Sequence, residues 1–190
     1  MKGNNDIAGN SNGNGTEINK LIYRLQKEDT RNRVIFKRFH WIFMAFIIVY
    51  SFLFIFNPFE DTGWSDRIIG ICYVLAFIFF GWIFRKYYRD YTSIDYSLPV
   101  AEMLQKAVQR YQLQYRKTWI IIFPLLLIDA GTTLSFFPRL SSFSVWERIG
   151  LVQVIYIPTL IVATLIGVLI WYKRQKPLRD EAMKLLDELK

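Results

Sequence analysis

Four apolar runs interrupt an otherwise polar chain, at about 39–57, 68–86, 118–137 and 149–172. A helix needs about 20 mainly apolar residues to cross a bilayer, because backbone groups in hydrocarbon can bond only within their own segment. Each run meets that length. The first stops at Asn57-Pro58 and the second is closed by Arg85 and Lys86. The third carries Asp129, Gly131, Thr132 and Thr133 in its second half. That composition also fits a re-entrant or partly hydrated segment, although a full span is the preferred reading.

Between and beyond the runs, apolar positions recur at helical spacing. Ile18, Leu21, Ile22 and Leu25 form a stripe after Thr16, a plausible N-cap, and predict a helix over 16–38. Val100, Met103, Leu104, Ala107, Val108, Tyr111 and Tyr115 form another, introduced by Ser97 and Pro99, and predict a helix over 97–117. Leu178, Ala182, Leu185, Leu186 and Leu189 follow Pro177 and predict a third over 177–190. No Gly or Pro interrupts Val100 to Phe123, so the middle helix is expected to run into the third span as a rigid stalk. The first fifteen residues, rich in Gly and Asn, read as a disordered tail. No cleavable signal peptide is expected, since the first apolar run begins near residue 39, is long, and lacks a small-residue cleavage pattern.

Charge sets the orientation. Of the 24 Lys and Arg, 21 fall in the N-terminal region, the long middle connection and the tail; only Arg67, Arg139 and Arg148 lie in the two short connections. The positive-inside rule places both termini and the middle connection in the cytoplasm. All six Trp lie near span ends, where indoles anchor at headgroups. The fold expected is an all-α integral membrane protein of the bacterial inner membrane. It has four transmembrane helices in two tandem hairpins, N-in and C-in, and three cytoplasmic amphipathic helices.

The two halves also share landmarks. Trp41 matches Trp119, Asp66-Arg67-Ile68 matches Glu147-Arg148-Ile149, and Trp82 with its basic exit matches Trp171 with Lys173 and Arg174. A parallel duplication about the membrane normal would produce this. So would any two hairpins that obey the positive-inside rule.

Composition narrows the chemistry. A 53% hydrophobic content excludes an ordinary soluble domain, and the net charge of +8 is absorbed by the topology rather than by nucleic acid, for which no recognition motif is present. One Cys and one His leave no intrachain disulfide, thiolate cluster or multi-histidine metal centre. Gly-rich phosphate loop, paired-His helix and EF-hand loop are all missing. No catalytic, cofactor or metal residue is therefore assigned, and the protein is read as a non-enzyme.

Two sets of residues remain. Asp129 lies near the middle of the third run, where a charged acid costs on the order of 3 kcal/mol, and Thr132, Thr133, Gln153 and Tyr156 are its candidate polar neighbours. It serves either as a hydrogen-bonding acid between helices or as a proton relay. The second set is the apolar stripes, with Met103, Leu104, Val108, Leu178, Leu185 and Leu186 as the candidate interaction surface. Three covers suit them: one another in a small bundle, the membrane surface, or a separate cytoplasmic protein. The leading expectation is a membrane anchor or regulatory assembly protein that uses these helices for self-association or partner binding. The alternative is a small proton-coupled transporter or channel, dimeric, with Asp129 as relay.

Overall fold

The computed structural model describes residues 7–56, 64–112 and 115–189, and the side chains of 16–54, 64–112 and 119–189. Among these, every regular element is helical. Helix α1 (Ile7–Tyr50) ends in a wide π turn, Ser51–Phe56. Then come α2 (Trp64–Thr92), α3 (Val100–Tyr111), α4 (Tyr115–Phe136) and α5 (Val145–Ile170). A second π turn, Trp171–Gln175, leads into α6 (Lys176–Glu188). Four helical stretches, Thr16–Phe54, Trp64–Thr92, Trp119–Phe136 and Val145–Glu188, are long and apolar enough to cross a membrane. These are the four runs read from hydropathy. The Asn57-Pro58 stop of the first lies outside the described residues.

The third run is one continuous helix of 22 residues, about 33 Å long at 1.5 Å per residue, with no reversal at Asp129 to Thr133. Helix α1 starts at Ile7, inside the stretch 1–15 expected to be a disordered tail; residues 1–6 lie outside those described.

The expected stalk is not formed. Helix α3 stops at Tyr111 because Gln112 turns extended, with φ −69° and ψ 132°. The uninterrupted path runs instead from α5 into α6. There the Lys176 N–H reaches back five residues to the Trp171 carbonyl, and Pro177 follows in the first turn of α6. Proline is tolerated in a first turn because it has no N–H to offer.

The chain divides into two compact units. A polar unit gathers Met1–Arg33, Tyr91–Leu113 and Gly167–Lys190; an apolar unit holds Val34–Asp90 and Gln114–Ile166. The polar unit closes the three sequence stripes on one another. Leu21 and Leu25 of α1, Met103, Leu104, Ala107 and Tyr111 of α3, and Leu178, Ala182 and Leu185 of α6 form one buried core, with Ile18, Ile22, Tyr96, Leu98, Val108 and Leu186 packed against it. A fully buried Leu contributes about 1.5–3 kcal/mol, so a core of this size holds three short segments that would not be stable helices alone. The start of α3 is set by Asp95, whose Oδ1 accepts from the Ser97 N–H at 2.8 Å and hydroxyl at 2.7 Å, and by the Met103 N–H bonding the Pro99 carbonyl at 3.0 Å.

In the apolar unit α1 and α2 meet along an aromatic seam. Phe36, Phe39, Phe43, Phe46 and Tyr50 recur on α1 at alternating steps of three and four, and Tyr73, Phe77, Phe80, Phe84 and Tyr87 do the same on α2. Their partners descend in α2 as α1 ascends. Phe36 meets Tyr87 at 5.4 Å, Phe39 meets Phe84 at 5.2 Å, Phe43 meets Phe80 at 5.1 Å, Phe46 meets Phe77 at 5.4 Å and Tyr50 meets Tyr73 at 5.4 Å. The two helices therefore run antiparallel here in knob-and-hole register, with ring pairs worth about 0.5–1.5 kcal/mol each beyond area burial. Beside the seam, His40 Nδ1 lies 3.0 Å from the Gly81 carbonyl and donates to it in the Nδ1–H tautomer. The connection before α5 is gathered by Arg148, whose guanidinium donates to the carbonyls of Phe143 at 2.7 Å and Ser141 at 2.8 Å.

Candidate functional site

The stripe that begins at Ile18 does not end in apolar residues. Continued by one turn it places Asp29 and Asn32 on the inward face of α1, where they are only 3% and 5% exposed. Asp29 is held by three donors. Its Oδ1 accepts from the Tyr111 hydroxyl at 2.6 Å, and its Oδ2 accepts from the Tyr96 hydroxyl at 2.5 Å and from Arg110 Nη1. Helices α1 and α3 and the segment before α3 thus converge on one carboxylate. Three donors and an opposite charge satisfy what burial would otherwise make costly. Burial first, and then the Asp29 carboxylate, push the Tyr111 and Tyr96 hydroxyls well above the ordinary phenol range.

The end of α3 is tied as well. The Trp171 indole Nε1 donates to the Tyr111 carbonyl at 2.9 Å, and the Arg179 guanidinium lies 5.4 Å from the Trp171 ring centroid. Trp171, expected as an interfacial anchor, serves here to cap a helix. On the outside of the unit Arg24 Nη1 donates to Glu181 at 2.5 Å, joining α1 to α6.

The candidate interaction surface lies in this core. Met103 is 4% exposed, Leu104 0%, Leu178 5% and Leu185 6%, with Val108 and Leu186 packed beside them. These side chains face one another rather than solvent. Any surface offered to another molecule is made by the outer, charged faces of the helices.

The intramembrane candidates separate into three pairs. Asp129 Oδ1 accepts from Gln153 Nε2 at 2.6 Å, joining α4 to α5. The Tyr156 hydroxyl donates to the Leu125 carbonyl at 2.6 Å, one turn of α4 away. Thr132 pairs with Tyr73 of α2 at 3.0 Å. Thr133 is half-buried and, among the described residues, joins none of these pairs. Each pair staples α4 to a neighbouring helix. Close approach accompanies them: a Cβ placed on Gly131 would sit 3.3 Å from the Tyr73 ring. At Gly167, by contrast, nothing lies within 4 Å of such a Cβ.

Asp29, Arg110 and Tyr96 were not singled out by sequence reasoning. The available signal was the register of the α1 stripe, which assigns Asp29 an inward position that a solvated acid would not occupy. Among the described residues no group of three His, Cys, Asp or Glu is placed to hold a metal ion. No family model matches the chain, and neither a curated protein nor a solved structure is significantly similar to it.

Proposed function

We propose that the chain is a non-enzymatic, multi-pass protein of a bacterial inner membrane, with four spans in two tandem hairpins and both termini in the cytoplasm. It carries a small cytoplasmic unit of three amphipathic helices that works in regulation or assembly. The observation that carries this reading is the closure of the α1, α3 and α6 stripes around Asp29. A core built from three segments far apart in the chain is a folded module, and two of its helices belong to the same helical stretches as apolar runs. Self-association or partner binding then uses the charged outer faces of the module, and the core acts by holding those faces in place.

The transporter reading has weaker support. Gln153 engages one oxygen of Asp129, Tyr156 turns to a backbone carbonyl, and Thr132 to Tyr73, an arrangement suited to holding helices together.

The test compares wild type, Leu104→Asp and Asp129→Asn as detergent-solubilised full-length chains, by affinity capture and by mass in solution. Loss of a specific complex in Leu104→Asp with retention in Asp129→Asn is the expected result. Unchanged complexes in Leu104→Asp, or proton flux in liposomes abolished by Asp129→Asn, would sink the proposal. Reporter fusions after Leu189 and within 139–144 check the orientation, with the first expected inside and the second outside.

A further inference from the structure

Residues 24, 27 and 31 repeat at i, i+3 and i+7, so Arg24, Lys27 and Arg31 share one face of α1. Arg174 and Leu178, four apart, face them across a cleft of about 350 Å³ within the polar unit, which Glu28 also lines. The charges in this cleft do not balance. Arg24 is paired with Glu181 at 2.5 Å and Arg31 with Glu28 at 2.5 Å. Lys27 and Arg174 lie on exposed positions outside these two pairs, and Arg174 shares the field of Glu28 with Arg31. Arg31 Nε is buried with no acceptor. Four cations thus line one concavity with a single carboxylate, Glu28, while Glu181, bonded to Arg24, is not part of its lining.

We propose that this cleft binds a phosphate-bearing anion. Guanidinium forks match phosphate oxygens in bidentate geometry, and an ammonium adds a point charge. A phosphoryl group seated between Lys27 and Arg174 supplies counter-charge to a cleft in which one lining acid faces four cations. The cleft lies within the range of small-molecule sites, about 300–1,000 Å³, and is roomier than a bare phosphate needs. The remaining space, walled on one side by Leu178, takes the group that carries the phosphate. Two sources share this chemistry: the headgroup of an anionic phospholipid and a soluble phosphorylated molecule.

The full-length chain in neutral detergent is titrated with inorganic phosphate at constant ionic strength, and separately mixed with phosphatidylglycerol or phosphatidylcholine and examined by native mass spectrometry. Wild type is expected to bind phosphate or to retain phosphatidylglycerol saturably and in preference to phosphatidylcholine. Lys27→Gln with Arg174→Gln removes two of the four cations while leaving the Arg24–Glu181 and Arg31–Glu28 pairs in place, and should weaken binding by about tenfold or more. Lys20→Gln with Lys173→Gln, exposed and outside the cleft, should leave it unchanged. Circular dichroism checks that the variants are folded, and Lys27→Gln alone serves if the double variant is not. Retention of lipid alone identifies a headgroup site; saturation by phosphate identifies a soluble ligand. Binding of neither probe by wild type, or an equal loss in the Lys20/Lys173 variant, overturns the proposal.

Discussion

Trp171 and Tyr111 are 60 positions apart, yet the indole of one donates to the backbone carbonyl of the other at 2.9 Å. The bond satisfies a carbonyl that the end of α3 leaves without an intrahelical partner, at the point where Gln112 turns extended. Trp171→Phe keeps the ring and removes the donor. It should cost the polar unit about 0.5–1.5 kcal/mol, read as faster hydrogen exchange along α3 with the apolar unit unaffected.

Asp29 predicts a larger effect. Removing one partner of a buried, hydrogen-bonded ion pair leaves the other uncompensated, at about 3–5 kcal/mol. Asp29→Ala should therefore unfold the polar unit at a much lower denaturant concentration and expose Tyr111 to quenchers. Arg110→Ala should do the same. A polar unit as stable in Asp29→Ala as in wild type would show that the clamp contributes nothing.

Alkali should open the same clamp. The Tyr96 and Tyr111 hydroxyls titrate higher in the folded protein than in the unfolded chain, so the folded state holds its protons longer. The stability they contribute is complete below the unfolded phenol value, about pH 10, and is lost as pH rises toward their raised folded values. Helical content of the polar unit should fall at a lower alkaline pH than that of the apolar unit. Ultraviolet absorbance of tyrosinate should show a late-ionising population, Tyr96 and Tyr111 among it, that titrates only with that loss. In Tyr111→Phe the late-ionising population should shrink.

Gly70 permits the close approach of α2 to the end of the first apolar run. A Cβ placed there would lie 2.1 Å from Phe54 Cβ, far inside contact, so backbone must move to admit a methyl group. Gly70→Ala should cost about 1–3 kcal/mol as overpacking, measured as a lower thermal midpoint in detergent. Gly150→Ala, where nothing lies within 4 Å, should be tolerated.

Asp129 and Gln153 offer the complementary test inside the apolar unit. If the acid is a structural acceptor, Asp129→Asn changes stability little and Gln153→Leu lowers it by about 0.6–1.7 kcal/mol, the range of hydrogen bonds between helices in a bilayer. The thermal midpoint in detergent separates the two variants. A severe loss in Asp129→Asn would show that the acid does more than accept this hydrogen bond.

Local chemistry made the spans legible. Hydropathy and length depend on residues next to one another, and the same holds for the stripes led by Ile18, Val100 and Leu178. The break after Tyr111 was not legible. No Gly or Pro marks it, and the Trp171 indole that satisfies the exposed carbonyl comes from a distant part of the chain. Asp29 was readable only in part: its register pointed inward, but its donors could not be named. The aromatic seam was present as spacing, yet that spacing alone does not identify which partner helix presents the matching rings.

By itself the sequence determined most of the helical segments, which of them are apolar enough for a bilayer and where charge accumulates, because each of these follows from propensity and solvation summed over neighbours. Only the tertiary structure decided that the three stripes cover one another, that Asp29 is clamped by residues 67, 81 and 82 positions away, and that Lys27 and Arg174 share a cleft. Such pairings arise from packing among segments that the chain itself keeps far apart, and periodicity within a segment carries no information about which other segment will cover it.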